Sequence, residues 1–298
     1  MNPACLFIRY GQQADHLPER PVMKIAMIQP TVKNDLSETL GEVLEMLDAC
    51  KGKADLAVLP ELWNTPFINS DILSHQDDGK IILPALKEAC RKNSIWLVSG
   101  SFDYSEDGKL FNRCYVIDSE GKIITHADKM HLLEVHTRKH TYREADVFEA
   151  GSDFCTFSTP WGESACCICF DIRFPELARI LCENSRFLFV PAGFNEPVGR
   201  KHWESLLRAR AIENEVFVIG VNPAKADYGS YSSYGHSMIV SPDGQIVKEM
   251  RADERIAIVE IDPKLADEIR FRSPYWSCRR SDLYRLEKRT EMNEKTRN

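Results

Sequence analysis

The sequence predicts an α/β protein in which two β-sheets pack face to face with helices outside. Three observations point there. Strand-like and helix-like runs alternate through most of the 298 residues, the pattern of parallel strands joined by helices. A hairpin signature occurs twice, at Val116–Ile124 and at Ile239–Val247, each reading as strand, Gly-containing turn, strand. Both hairpins follow βα segments in corresponding places, so the chain reads as two related halves, each supplying a sheet. No linker-like Gly/Ser/Pro stretch divides the halves, which predicts one domain.

The elements follow in order. Met23 to Gln29 opens the first strand, with the apolar run Ile25–Ile28. Leu36–Cys50 has helical spacing at Leu40, Val43, Leu44 and Leu47. Ala54–Leu59 is a strand that leads to Glu61. Leu83–Asn93 is helical and Ile95–Ser99 is a strand. Ala165–Ile168 is a buried strand, and Pro175 opens a helix over Glu176–Asn184, because proline is favoured at the first helical position. His202 starts a helix that continues through Trp203, Leu206, Leu207 and Ala211. Residues 1–22 carry no clear period and are set apart as an N-terminal extension from a domain over 23–278. Residues 279–298 form a charged, polar tail, expected to be mobile or wrapped on a partner.

Bulk properties exclude some functions. A net charge of −7 and a pI of about 5.7 argue against a nucleic-acid partner. No apolar run approaches the ~20 residues that span a bilayer, so no membrane partner is expected. Ten cysteines invite a disulfide reading, yet no signal peptide opens the chain. Cys50, Cys90, Cys114, Cys155, Cys167, Cys182 and Cys278 also lack a framework spacing. Reduced thiols in a cytoplasmic protein are the simpler account, most of them packed as small hydrophobes.

Cys169 is the exception. It stands where the strand at 165–168 hands over to the helix opened by Pro175. Backbone N–H groups near a helix start favour thiolate over thiol, which is the setting of a nucleophile. Taken alone, a cysteine is most often a packed core thiol. Cys166 and Cys167 are read that way, and their spacing with Cys169 does not suit zinc, which prefers C-x2–4-C. No metal and no cofactor are expected. Glu61, after an apolar strand and a proline, is expected partly buried at a strand end, although a lone glutamate is most often a solvated loop acid. Lys129 follows the second strand of the first hairpin and would otherwise pass for a surface lysine. His202 and His236 are given structural roles, and Arg208, Arg210 and Glu213 ion pairs. Asp171 and Glu176 are expected to fix the turn around Cys169.

Three motifs carry a family resemblance. Leu59-Pro60-Glu61-Leu62-Trp63, Asp128-Lys129-Met130-His131-Leu132 and Cys169-Phe170-Asp171-Ile172-Arg173-Phe174-Pro175-Glu176 stand in this order. Later landmarks are Pro191-Ala192-Gly193-Phe194-Asn195, His202–Asn214 and Gly235-His236-Ser237. The chain resembles the nitrilase superfamily of carbon–nitrogen hydrolases from Met23 to about Ile261. That resemblance implies a four-layer αββα sandwich of two packed mixed sheets. It also implies Cys169 as nucleophile, Glu61 as proton carrier and Lys129 as oxyanion stabiliser together with the N–H after Cys169. A stretch like Thr-Phe-x-Glu in the family places Glu144 of Thr141-Tyr142-Arg143-Glu144 as the residue orienting Lys129 or the substrate. The helix at 202–214 resembles one used for subunit contact, so a homodimer is expected.

The residues after Cys169 look most like the ω-amidase group, which includes deaminated-glutathione amidases and usually has Tyr where Phe170 stands. The expected reaction is hydrolysis of the terminal amide of a small carboxylate such as 2-oxoglutaramate, with water as co-substrate and ammonia as product. Phe170, Arg173 and Asn195 are the expected substrate-binding residues, and Trp63 is expected to narrow the pocket. A carboxylate would be received by the basic stretch Arg138–Lys139–His140 or by Arg173, the latter read first as a structural partner of Asp171 or Glu176. The alternatives are an N-carbamoyl-amine or N-carbamoyl-amino-acid hydrolase, the ammonia-producing half of a synthetase, and a catalytically silent binding module of the same fold.

Overall fold

Alternate residues of the first strands face different cores, as they must in strands buried on both sides. In Met23–Ile28, Met23, Ile25 and Met27 join one apolar cluster while Ala26 and Ile28 join another. Leu56 and Val58 part from Ala57 in the same way, and Trp96 and Val98 from Leu97.

The structure, a computed structural model, describes residues 22–76, 78–136, 141–253 and 255–288. The elements of the first half are β1 (Met23–Ile28), α1 (Leu36–Ala49), β2 (Leu56–Val58), α2 (Asn69–Ser74), α3 (Gly79–Asn93), β3 (Trp96–Glu106), β4 (Lys109–Ile117) and β5 (Ile123–Asp128). The small hairpin β6 (Glu134–His136) and β7 (Thr141–Arg143) follows. The second half is β8 (Cys155–Thr159), β9 (Gly162–Cys166), α4 (Pro175–Leu181), β10 (Phe187–Pro191), α5 (Glu196–Asn214), β11 (Phe217–Val221), β12 (Met238–Val240) and β13 (Ile246–Glu249). Finally β14 (Ile256–Ile261) and α6 (Lys264–Arg272) close the described fold.

Two six-stranded mixed sheets result, ordered β14-β1-β2-β3-β4-β5 and β13-β12-β11-β10-β9-β8. The larger apolar cluster draws on inward residues of both sheets, while the other lies between the first sheet and α1 and α3. Trp203, Leu207 and Ala211 of α5 cover the second sheet from outside. This is the αββα layering that the sequence predicts, and the repeated hairpin is β4–β5 and β12–β13.

Several boundaries move. α3 begins at Gly79, ahead of the expected Leu83, so Pro84 stands inside the helix. α5 begins at Glu196, so His202 lies within the helix and does not start it. β9 ends at Cys166, before Ile168, and α4 ends at Leu181, before Asn184. Nine cysteines are described, all free; eight are buried and Cys278 is exposed. Among the described residues no helix is long and apolar enough to cross a membrane.

Candidate active site

Glu61 is placed by a turn that another strand clasps. Gly100, at φ +63°, lies so close to this turn that a Cβ would overlap the Pro60 carbonyl oxygen, so the approach requires glycine. The Ser101 N–H donates to Pro60 O (3.0 Å), and the Glu61 N–H donates across to Ala192 O of the second half (3.2 Å). Glu61 ends up only 1% exposed, more deeply buried than the sequence suggests.

Lys129 is delivered by the end of β5, its N–H donating to Asn112 O (3.0 Å). The ammonium is wholly buried and touches two carboxylates: Nζ is 2.7 Å from Glu61 Oε1 and 2.8 Å from Glu144 Oε2. Glu144 opens the short 3-10 turn after β7. Its own N–H donates to Leu133 O (2.9 Å), and the Leu133 N–H donates back to Oε2. Asn112 Nδ2 donates to Glu61 Oε1 at 2.9 Å, while Oε2 is buried without a hydrogen-bond partner. Two acids and one buried lysine therefore form one linked unit, and such a unit is stable in the interior only when each charge has its partner.

Cys169 begins the 3-10 turn Cys169–Arg173 in the left-handed region, at φ +46°. That conformation costs a non-glycine residue about 1 kcal/mol or more, and the surroundings impose it. Asp171 does most of this: its carboxylate accepts from the N–H groups of Ile168 (3.0 Å) and His131 (2.8 Å), tying the turn to the segment after Lys129. His131 in turn stacks on Phe174 at 3.6 Å. Glu176, expected to share this work, is exposed.

The electrostatics correct one expectation. The thiol of Cys169 is not held as thiolate. Burial pushes its pKa well up and the Glu61 charge pushes further, outweighing the opposing pull of Lys129 and of the Gly193 N–H. For Lys129, burial alone would lower the pKa, but the charges of Glu144 and Glu61 hold it well above the ordinary lysine value. Glu144 is itself raised, burial outweighing Lys129.

Arg173 is also not as expected. It pairs with neither Asp171 nor Glu176. Its guanidinium lies over the rings of Phe170 (5.7 Å) and Phe194 (5.3 Å) and reaches His202 Nδ1 at 3.2 Å. Burial lowers its pKa and the neighbouring Cys169 opposes this. Among the described residues it has no carboxylate partner. Asn195 is exposed at the start of α5, where its backbone carbonyl accepts from Val198 and Gly199. It is Phe194 that turns inward. Trp63 does not narrow the site. It is fully buried in the core beside Phe102, its indole N–H donating to Ser99 O at 2.9 Å. The stretch Arg138–Lys139–His140 lies outside the described residues. Among the described residues no three metal-ligating side chains converge.

Residues 24–271 match the profile of the family described as Carbon-nitrogen hydrolase. The chain belongs to the carbon–nitrogen hydrolase family. This carbon–nitrogen hydrolase is 34% identical to Omega-amidase NIT2 of Mus musculus over 89% of its own length and 97% of the relative's. It is 33% identical to Nitrilase homolog 2 of Dictyostelium discoideum over 89% and 83%. In structure it resembles the NitFhit protein of C. elegans, with a TM-score of 0.86, 30% identity and coverage of 93% of this chain and 69% of that one. For Nit3 of Saccharomyces cerevisiae the values are 0.79, 28%, 90% and 100%. The carbon–nitrogen hydrolase is thus an amidase-type enzyme, and the silent-module reading is set aside.

Sequence reasoning missed Asn112, Phe67 and Tyr231. Asn112 sits inside a strand with no motif around it. Phe67 lies 5.5 Å below Lys129 Nζ, and its N–H donates to the Tyr231 hydroxyl at 2.8 Å. Gly193 belongs to a noted landmark, but its use was not evident: a Cβ there would stand 3.2 Å from Glu61 Oε2.

Proposed function

We propose that the enzyme hydrolyses the terminal amide of a small carboxylate, of the 2-oxoglutaramate type, through a thioester on Cys169. The observation that carries the reading is Arg173, a half-buried guanidinium beside Cys169 with aromatic rings around it and no carboxylate of its own. A half-buried cation with no anion beside it is unfavourable, and a substrate carboxylate would supply one in the geometry guanidinium prefers. The relatives described as omega-amidases support the same substrate class.

The steps follow from the arrangement. Glu61 takes the Cys169 proton on Oε2 as the sulfur attacks the carbonyl carbon. Lys129 and the Phe170 N–H, which lies in the first turn where helical N–H groups lack an internal partner, hold the oxyanion. Glu61 returns the proton to the departing ammonia. It then takes a proton from water, whose oxygen attacks the thioester; as the C–S bond breaks, Glu61 returns that proton to the departing sulfur, releasing the acid and restoring both the free thiol and the carboxylate. Glu144 holds Lys129 in place throughout. A thiol that stays protonated at rest suits this scheme, because the base removes the proton only when a carbonyl is there to be attacked. The reading includes a homodimer through α5, whose exposed Ile212 lies against the turn at Gly244 beside exposed Ile246 and Val247 of β13; light scattering measures it.

The test is ammonia release from 2-oxoglutaramate and from 4-oxopentanamide, the uncharged amide of the same length. The anionic amide should be preferred, and Arg173→Met should lower its kcat/KM by about 10–100-fold, the worth of a hydrogen bond to a charged group, leaving the uncharged amide unchanged. Equal kcat/KM for both amides in the wild type would remove the carboxylate reading, and faster turnover of N-carbamoyl-β-alanine would put the carbamoyl-hydrolase alternative in its place.

A further inference from the structure

Glu144 is reached through Thr141-Tyr142-Arg143, where the related motif has Phe in place of Tyr142. Phenylalanine would fill the same space. The extra oxygen is therefore an addition, and it sits badly if the protein alone is considered. The Tyr142 hydroxyl is buried and has no hydrogen-bond partner among the described residues. Buried hydroxyls in native proteins nearly always have one, because stranding them is unfavourable. The neighbouring phenol of Tyr231 obeys the rule, accepting from the Phe67 N–H at 2.8 Å.

The location is informative. The Tyr142 ring packs on Phe67 with centroids 5.8 Å apart; Phe67 also meets Tyr231 at 6.4 Å and carries Lys129 Nζ at 5.5 Å. The phenol feels the charges of Glu144, Lys129 and Glu61, in that order. It thus lies beside the charged unit of Glu144, Lys129 and Glu61. Burial first, then the Glu144 charge, push its pKa upward, so it remains an O–H donor. The Glu144 oxygens already receive Lys129 and the Leu133 N–H, and neither Lys129 nor Phe67 can accept.

We propose that Tyr142 is a specificity-determining residue that donates its O–H to a ketone oxygen on the acyl chain of the substrate, beyond the scissile amide. This rests on the reading of the site as an amidase for short functionalised acids, but it concerns a different group of the substrate from the one assigned to Arg173. The two assignments can fail separately.

Four amides separate them. 2-Oxoglutaramate carries both carboxylate and ketone, glutaramate the carboxylate alone, 4-oxopentanamide the ketone alone and pentanamide neither. In the wild type each ketone should be preferred to its ketone-free partner by about tenfold in kcat/KM, the size of one hydrogen bond. In Tyr142→Phe both ketone preferences should fall to within about twofold, mainly through KM. Turnover of glutaramate and pentanamide should be unchanged. The melting temperature should stay equal or rise, because an unpartnered buried hydroxyl has been removed. No ketone preference in the wild type, a preference that survives in Tyr142→Phe, or an equal loss on all four amides with a lowered melting temperature would each overturn the proposal; the last would mark Tyr142 as packing. Absence of a carboxylate preference would overturn the Arg173 assignment alone, since the uncharged pair still judges Tyr142.

Discussion

The two sheets share one plan and differ in what their strand ends carry. From β14 to β5 the neighbouring pairs run antiparallel, parallel, parallel, antiparallel, antiparallel, and from β8 to β13 the order repeats. β2 leads into Pro60-Glu61, and its counterpart β10 leads into Ala192-Gly193. β5 is followed by Lys129, and its counterpart β13 by Met250. Even the backbone bond recurs: the Lys129 N–H donates to Asn112 O at 3.0 Å and the Met250 N–H to Ser237 O at 2.8 Å. Around Lys129 the network is charged. Around Ser237 it is neutral, with Gln29 Oε1 receiving the Ser237 N–H and hydroxyl. The first half supplies ions, and the second supplies the thiol and a glycine, Gly193, set against Glu61. A duplicated frame can be specialised one strand end at a time because the ladder does not depend on the side chain that follows it.

The largest break in this comparison is loss of the second half's thiol. Cys169→Ala should abolish turnover, with no acyl adduct by intact-mass analysis. Stability should fall only modestly, since little volume is lost. Persistent ammonia release would move the nucleophile elsewhere. Next come the ions. Glu61→Gln and Lys129→Ala should each lower kcat by roughly 10²–10⁴-fold, and the double variant should lose far less than the product of the two, because the groups act as one unit. Lys129→Ala should also destabilise by about 3–5 kcal/mol, leaving two buried carboxylates facing each other; denaturant titration reads this. Multiplicative losses with unchanged stability would dissolve the unit. The smallest effect sharpens the comparison. Gly193→Ala puts a methyl 3.2 Å from Glu61 Oε2 and should lower kcat by about tenfold through misplacement of the base, with the melting temperature nearly unchanged. Wild-type kinetics would mean that the gap opposite Glu61 is not used.

Much of this was legible in the chain. The hairpin repeat announced the two sheets because turn chemistry is local, and the alternation of elements announced the layers because burial imposes a period. Glu61, Lys129, Cys169 and Glu144 meet because each sits in a motif at a strand end. What escaped depends on tertiary surroundings. A helix start favours thiolate in water, but Cys169 is buried beside Glu61, and that reverses the sign. Trp63 follows the acid in sequence, yet the turn at Leu62 (φ +42°) sends it into the core. Arg173 has acids two and three residues away, yet Asp171 is committed to the backbone of the Lys129 segment. Asn112 has no local signature at all, since its function is fixed by the strand that happens to lie beside it.

The pairing of β1 with β14, from Met23 opposite Ile261 to Ile28 opposite Ile256, bears on how the chain is made. β1 emerges from the ribosome among the first described residues, and its edge partner emerges among the last. Until then the first sheet has an open edge, and the inward row of Met23, Ile25 and Met27 waits for the second sheet as well. Contacts so far apart in sequence form slowly, and open strand edges aggregate. Nascent chains stalled before residue 256 should therefore be the species that holding chaperones retain, and a protein truncated there should be insoluble even though every residue of the candidate active site is present.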